Sequence, residues 1–142
     1  MAQIAGKLRY TSTGFQDFPA VGDWVAIAAR PKEGTATIHA LLPRKSKFSR
    51  KAAGKAMDEQ VVAANMDTVF LVNALNHDFN PRRLERYLTI AWESGADPVI
   101  ILSKADLCTD LSDKMAAVEN IALGVPVHMI SSVTGDGLTS LS

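Results

Sequence analysis

A single cysteine, Cys108, occurs in the 142 residues. It excludes any internal disulfide and any cysteine-rich metal site, and makes the reducing cytoplasm the expected compartment. Long hydrophobic runs are missing too. The longest apolar stretches, 68–75 and 98–102, fall far short of the roughly 20 residues that a spanning helix needs. The opening Met1-Ala-Gln-Ile-Ala-Gly-Lys7 lacks the pattern of a secretion signal. No repeat, low-complexity tract or collagen-like period is present, so fibrous classes drop out. Three glycine-containing signatures are also absent. Without Gly-x-x-x-x-Gly-Lys-Ser/Thr the chain has no phosphate cradle, and without an Asp-x-x-Gly it has no evident residue to serve a magnesium-bound water. Without Gly-x-Gly-x-x-Gly after a strand, a dinucleotide-binding domain is disfavoured.

What is there is the composition of a globular protein, with 47% hydrophobic and 21% charged residues. The formal net charge is zero, yet it is the sum of two unlike halves. Residues 1–55 carry ten Lys/Arg against three Asp/Glu, whereas residues 56–142 carry five against twelve. Such asymmetry predicts two modules, the first attracting a polyanion and the second not. The boundary is expected near residues 55–60, giving modules 1–58 and 59–142.

In the first module short β-rich runs alternate with turn signals: residues 7–10, residues 24–29 after the turn around Gly22, and residues 35–42 after Gly34. Ile38, Ala40 and Leu42 share one face and Thr37 and His39 the other, the period of a half-buried strand. This predicts a small all-β, OB-like barrel, incomplete because closure takes about five strands. The second module changes period. Residues 67–73 and 98–103 are continuous apolar runs, as in strands covered on both faces of a parallel sheet. Between them Asn80 caps and Pro81 starts a predicted helix with an apolar stripe of Leu84, Tyr87, Leu88 and Ala91, ending at Gly95. A second helix over 111–123, closed by Gly124, and a strand over 126–130 complete a βαβαβ pattern. That is an α/β parallel sheet with crossover helices, whose ligands are expected at the carboxyl ends of its strands.

Two of those strand ends carry Ser103-Lys104-Ala105-Asp106 and Ser131-Ser132. A carboxylate such as Asp106 accepts two parallel hydrogen bonds, and guanine presents two adjacent donors, its N1–H and its 2-amino group; adenine does not. The Lys104 stem can lie along the base, and the backbone N–H groups of Ser131 and Ser132 can face the guanine O6. The bland reading of a Lys-x-Asp is a solvated turn; a second polar turn at the next strand end favours a pocket. His128, inside an apolar strand, reads as a packed core histidine, Cys108 as a small buried hydrophobe, and His77 and Asp78 as a polar loop. In the first module Arg44, Lys45, Lys47, Arg50, Lys51 and Lys55 follow one another with no acid between them and Phe48 among them. They form a phosphate-seeking segment in which Phe48 could stack a base; the alternative is a solvated loop.

Five stretches carry a resemblance: Phe18-Pro-Ala-Val-Gly-Asp-Trp-Val25, Leu42-Pro-Arg-Lys-Ser-Lys-Phe-Ser-Arg-Lys51, Glu59-Gln-Val-Val-Ala-Ala-Asn65, Arg82-Arg-Leu-Glu-Arg-Tyr-Leu88 and Leu102-Ser-Lys-Ala-Asp-Leu107. Together they resemble the RsgA (YjeQ) family, the circularly permuted GTPases that depend on the small ribosomal subunit. The resemblance implies an OB-fold, then the guanine-specificity motifs, then a P-loop with its switches, and a zinc-binding tail. It further implies GTP hydrolysis with magnesium, stimulated by the small subunit and serving its maturation, with that subunit and its rRNA as partners and no membrane. It aligns Ser103, Lys104 and Asp106 with the family's Asn/Thr-Lys-x-Asp and Ser131-Ser132 with its Ser-Ala. Ser103 departs by being shorter than Asn, and Ser132 by replacing Ala. The expectation is a shortened chain that stops before the P-loop and is inactive alone, with no catalytic or metal-binding residue of its own, a monomeric parent, and a tendency of the fragment to self-associate. The competing reading is a non-catalytic RNA-binding adaptor with an α/β scaffold.

Overall fold

A computed structural model describes residues 2–12, 14–51 and 59–141, with Phe15, Lys51 and Glu59 described by their backbones alone. The chain divides into two compact units, Met1–Met66 and Asp67–Ser142.

The first unit holds β1 (Ala2–Ile4), α1 (Gly6–Thr11), β2 (Val25–Arg30), β3 (Thr35–Leu41), β4 (Lys47–Lys51) and β5 (Glu59–Ala64). β3 lies between β1, parallel to it, and β2, antiparallel to it. β4 and β5 form a separate antiparallel ribbon. Five strands are thus present, but among the described residues no ladder closes them into a barrel. The expected strand over 7–10 is a helix instead. Lys7, Leu8 and Arg9 are sound helix formers, and the Thr11 and Ser12 hydroxyls donate back to the Lys7 and Leu8 carbonyls at 3.0 and 2.7 Å. The unit also extends beyond residue 58, because β5 pairs with β4 rather than with the second sheet. Its apolar interior is small. Ser46, Val61 and Ala64 are buried, while Trp24 and Ile27 are exposed, and β3 does not show the expected alternation since Ala40 is exposed.

Polar ties therefore hold this unit together. Gly22, at φ +87°, lies against β5 so closely that a Cβ there would overlap the Ala64 carbonyl oxygen. Asn65, itself at φ +55°, accepts from the Lys45 N–H at 2.8 Å and donates to the Gly22 carbonyl at 2.9 Å. The buried Ser46 hydroxyl donates to the Met66 carbonyl at 2.6 Å.

The second unit contains β6 (Thr68–Ala74), α2 (Pro81–Ser94), β7 (Asp97–Ser103), α3 (Leu111–Ile121) and β8 (Val127–Met129). The three strands are parallel in the order β6-β7-β8, as the continuous apolar runs require. β7 is central, with Ile100, Ile101 and Leu102 buried, and α2 packs on β6 and β7 through Leu84, Leu88 and Ala91. Edge strand β6 differs from expectation: Leu71 and Asn73 are buried but Phe70 and Val72 are exposed, so the described residues cover only one of its faces. Tyr87, on the flank of the apolar stripe, is exposed as well.

α2 starts and stops where its sequence signals place it. The Asn80 side chain accepts from the Arg83 N–H at 2.9 Å, Pro81 takes the first turn, and Gly95 at φ +81° ends the helix. Replacing Asn80 by Ala is expected to cost about 1 kcal/mol, read as a lower urea midpoint at unchanged slope. α3 ends at Ile121, two residues before its expected terminus, and Leu123 stands out into solvent.

Candidate functional site

The polar residues singled out in the sequence gather at the carboxyl edge of the β6-β7-β8 sheet. β7 ends at Ser103, and its carbonyl accepts from the Leu75 N–H at 2.8 Å. Lys104 then adopts the left-handed conformation, φ +59°, an uncommon state for a residue with a side chain and one often found at functional sites. That reversal lets the Ala105 N–H reach the Ile130 carbonyl at 3.1 Å, beyond the point where the Ile130 N–H donates to Leu102 at 2.9 Å. The strand ladder is thereby extended until the loops after β7 and β8 touch.

The contact between them is direct. The Ser131 hydroxyl, buried at 1% exposure, donates to Asp106 Oδ1 at 2.6 Å. The same hydroxyl oxygen accepts from the Val133 and Thr134 N–H groups at 3.3 and 3.2 Å, so its proton is directed at the carboxylate. Asp106 itself is exposed. One of its oxygens is held by the Ser131 hydroxyl.

The 131–137 turn is closed by the Ser131 N–H donating to the Asp136 carbonyl at 3.0 Å and the Gly135 N–H to the Ser131 carbonyl at 2.9 Å. Gly137, at φ +74°, passes so close to Met129 that a Cβ would overlap its carbonyl oxygen. This corrects one expectation. The Ser131 N–H is committed within the turn, and what Ser131 contributes toward Asp106 is its side chain. The Ser132 N–H makes no hydrogen bond to the described residues.

Lys114, unremarked in the sequence, ties a third loop into this edge. Its ammonium donates to the Leu75 carbonyl at 2.7 Å, pairs with Asp110 at 2.8 Å and lies 5.7 Å from the centre of the Phe79 ring. A lone lysine in the first turn of a helix gives no signal in sequence. Asp78, in the loop before α2, pairs with Arg83 at 2.9 Å, and that guanidinium holds its carboxyl below the usual range. The buried Asn73 donates to the Asn80 carbonyl at 3.1 Å, while its Oδ1 has no partner among the described residues. His128 is half-buried, with Nδ1 3.2 Å from the Ser140 hydroxyl, rather than packed in the core; Cys108 is likewise half-buried, its sulfur 4.0 Å from Asp110.

The basic segment of the first unit separates into two kinds of residue. Arg44 turns inward. Its Nε and Nη2 donate to the two oxygens of Asp23, both at 2.7 Å, and its guanidinium also donates to the Gln16 and Phe18 carbonyls at 2.8 and 3.0 Å. Arg44 therefore fastens the turn before β2, and a guanidinium surrounded by acceptors is what its burial demands. Lys45, Lys47 and Arg50 are exposed, with Arg50 Nε 3.3 Å from Gln60 Oε1, and Phe48 is half-buried in β4. Lys51 ends β4, but its side chain and the whole of Lys55 lie outside the described residues. Among the described residues no group of three or more His, Cys, Asp or Glu side chains is arranged to hold a metal ion, and no helix is long and apolar enough to cross a membrane.

The family profile described as RsgA GTPase matches residues 41–142. A small ribosomal subunit biogenesis GTPase RsgA 2 of Lactiplantibacillus plantarum is 51% identical over 140 residues, covering 99% of this chain and 39% of that protein. A small ribosomal subunit biogenesis GTPase RsgA of Syntrophotalea carbinolica is 48% identical over 149 residues, covering 99% of this chain and 40% of that one. Among solved structures, that of YjeQ from Thermotoga maritima superposes with a TM-score of 0.68 at 26% identity, covering 99% of this chain and 46% of the other. YloQ, described as a circularly permuted GTPase, superposes at 0.56 and 22% identity over 87% of this chain and 41% of its own, and so speaks for the fold alone. The chain spans about 40% of the length of the curated relatives it matches.

Proposed function

The chain belongs to the RsgA GTPase family, and from that premise we propose that it supplies the base-reading and RNA-binding parts of a ribosome-assembly GTPase acting on the small ribosomal subunit. The observation that carries the site assignment is the Asp106 carboxylate held by the Ser131 hydroxyl at 2.6 Å across two consecutive strand ends. Asp106 would accept from guanine N1–H and the 2-amino group. The Lys104 stem would lie along the base face, and the Ser132 N–H would face O6. Ser103, with its short side chain at the end of β7, would stand behind them. Units 1–66 and 67–142 would then be an OB-like RNA-binding domain and the first part of a permuted GTPase domain, in a cytoplasmic protein.

The residues present fit the base of GTP. They do not fit its phosphates or a magnesium ion: no phosphate-cradling glycine run occurs in the sequence, and no metal cluster occurs among the described residues. No step of phosphate cleavage is therefore assigned to this chain, and no group of three or more zinc-ligating side chains is arranged among the described residues. The 142 residues alone are expected not to hydrolyse GTP.

The test compares this chain with a full-length protein that contains it. The full-length protein should hydrolyse GTP well in excess of ATP, and faster when purified small subunits are added. Equal turnover of the two nucleotides would overturn the base-reading assignment, and no turnover of either in the presence of subunits would favour the RNA-binding adaptor.

RNA contact is assigned to the exposed side of the basic segment. Replacing Lys47 and Arg50 by Ala is expected to weaken small-subunit binding and to lower the slope of log affinity against log salt by about 2, at unchanged thermal stability. An unaltered slope would leave these two side chains as solvated charges.

A further inference from the structure

Segment 104–110, which joins β7 to α3 and carries Lys104 and Asp106, has no buried residue. Apolar packing therefore does not fix its shape, and its hydrogen bonds must. In its middle the Ala105 N–H donates to the Ile130 carbonyl at 3.1 Å, and Asp106 accepts from the Ser131 hydroxyl at 2.6 Å. Its two ends are fastened by one side chain, that of Lys114.

The first end is reached through β6. The Leu75 N–H donates at 2.8 Å to the carbonyl of Ser103, the residue before the left-handed Lys104, and the Leu75 carbonyl accepts from the Lys114 ammonium at 2.7 Å. Leu75 is 0% exposed, so its carbonyl is out of reach of water and its donor is Lys114. The second end is reached directly: Asp110, the last residue of the segment, pairs with the same ammonium at 2.8 Å. The Phe79 ring, its centre 5.7 Å from the charge, closes a third side. An i,i+4 Asp–Lys pair is by itself an ordinary feature of a helix start and worth little. What is not ordinary is that the Lys114 side chain is only 15% exposed and reaches a carbonyl 39 residues earlier in the chain.

We propose that Lys114 is a positioning residue for nucleotide binding: it closes the base-reading segment at both ends, so that Lys104 and Asp106 are in place before the base arrives. This rests on the reading of Asp106 as the acceptor for guanine and adds to it a residue on the following helix. Two of the ammonium's donors are committed, to a carbonyl and a carboxylate, so Lys114 acts through the segment rather than on the base. Without the ammonium the Leu75 carbonyl is left buried and unpaired, and the strand end must shift to give it water. Both ends of the segment are then loosened, and the nucleotide has to order it on binding. Affinity falls. The choice of base does not change, since it follows from the donors and acceptors of guanine and Asp106, which Lys114 leaves alone.

The test is run on a full-length protein that contains this chain, by competition against a fluorescent guanine nucleotide. Lys114→Met keeps an apolar stem and removes the donors. It is expected to weaken GDP binding about tenfold, with the preference over xanthosine diphosphate retained. The number of nucleotide sites at saturation separates this from a loss of fold: a merely structural lysine would lower that number and the thermal midpoint and leave the Kd of the remaining sites as it was. Lys114→Arg, whose guanidinium can still reach a carbonyl and a carboxylate, should return the Kd to within about threefold of the parent. Asp110→Ala, at a side chain 50% exposed, should weaken binding about threefold alone and no further on top of Lys114→Met, because both act through one closure. An unchanged Kd in Lys114→Met, fewer sites at an unchanged Kd, no recovery with Arg, or full additivity with Asp110→Ala would overturn the proposal. Asp106→Asn in the same assay keeps the two readings apart. A shifted base preference there, with Lys114→Met binding as the parent does, sinks the positioning role alone; an unshifted preference sinks the base-reading assignment and the positioning role with it.

Discussion

Asp106→Asn in the full-length protein is expected to weaken GDP binding by about 10- to 100-fold and to raise the relative affinity for xanthosine diphosphate, measured by competition against a fluorescent nucleotide. The reason is the count of donors and acceptors. Guanine offers two hydrogens on adjacent atoms, and a carboxylate offers two oxygens to receive them. An Asn offers one oxygen and one N–H₂, so one guanine donor is left facing another donor, worth about 1–3 kcal/mol. Xanthine carries an oxygen where guanine carries the amino group and suits the Asn amide better. The substitution keeps the fold, because the Ser131 hydroxyl that reaches Asp106 Oδ1 at 2.6 Å can donate equally to the Asn oxygen. Ser131→Ala supplies the contrast. It frees the carboxylate to rotate without changing its chemistry, so GDP affinity should fall by less and the preference over xanthosine diphosphate should survive. If Asp106→Asn left the selectivity unchanged, the base would be read elsewhere.

The sequence announced this edge because each of its signals was local. A strand of continuous apolar residues, a cap at Asn80, a stop at Gly95 and polar residues just past two strand ends are all written within a few positions of where they act. What it could not announce depended on partners far away in the chain. Arg44 reads as one more cation in a basic run until Asp23, 21 residues earlier, is seen to take its guanidinium. Lys114 reads as a surface lysine until Leu75, 39 residues earlier, is seen to present its carbonyl. The run at 7–10 failed for a different reason: with so little apolar surface to bury in the first unit, backbone propensity and the Thr11 and Ser12 hydroxyls decided the element, and they favour a helix. Phe70 and Val72 show that a continuous apolar run fixes a strand but not how many of its faces are covered.

Arg44→Ala is expected to destabilise the first unit by about 3 kcal/mol, the usual cost of removing one partner from a buried ion pair. The Asp23 carboxylate is 1% exposed, so without the guanidinium it would keep only the Ala20 N–H, at 2.8 Å, and would remain charged away from water. The Gln16 and Phe18 carbonyls would lose their donors at the same time. Arg44→Lys should recover only part of the loss, since an ammonium cannot serve both carboxylate oxygens and two carbonyls from one plane. Acid should act in the same direction. The Arg44 guanidinium holds the Asp23 carboxyl below its ordinary value of 3.8, so the unfolded chain takes up this proton before the folded one does. The pair's stabilisation is thus whole above that value and is lost as pH falls through the lower folded value. Urea unfolding followed by Trp24, beside Asp23, in a Trp92→Phe background should show a midpoint that drops below about pH 4 in the parent and far less so in Arg44→Ala, which has already lost the pair. The same variant decides between the two roles open to this arginine. Lower stability with RNA affinity changed only in proportion to the unfolded fraction makes Arg44 a fastening of the fold, whereas weaker RNA binding at full stability would return it to the phosphate-binding face with Lys47 and Arg50.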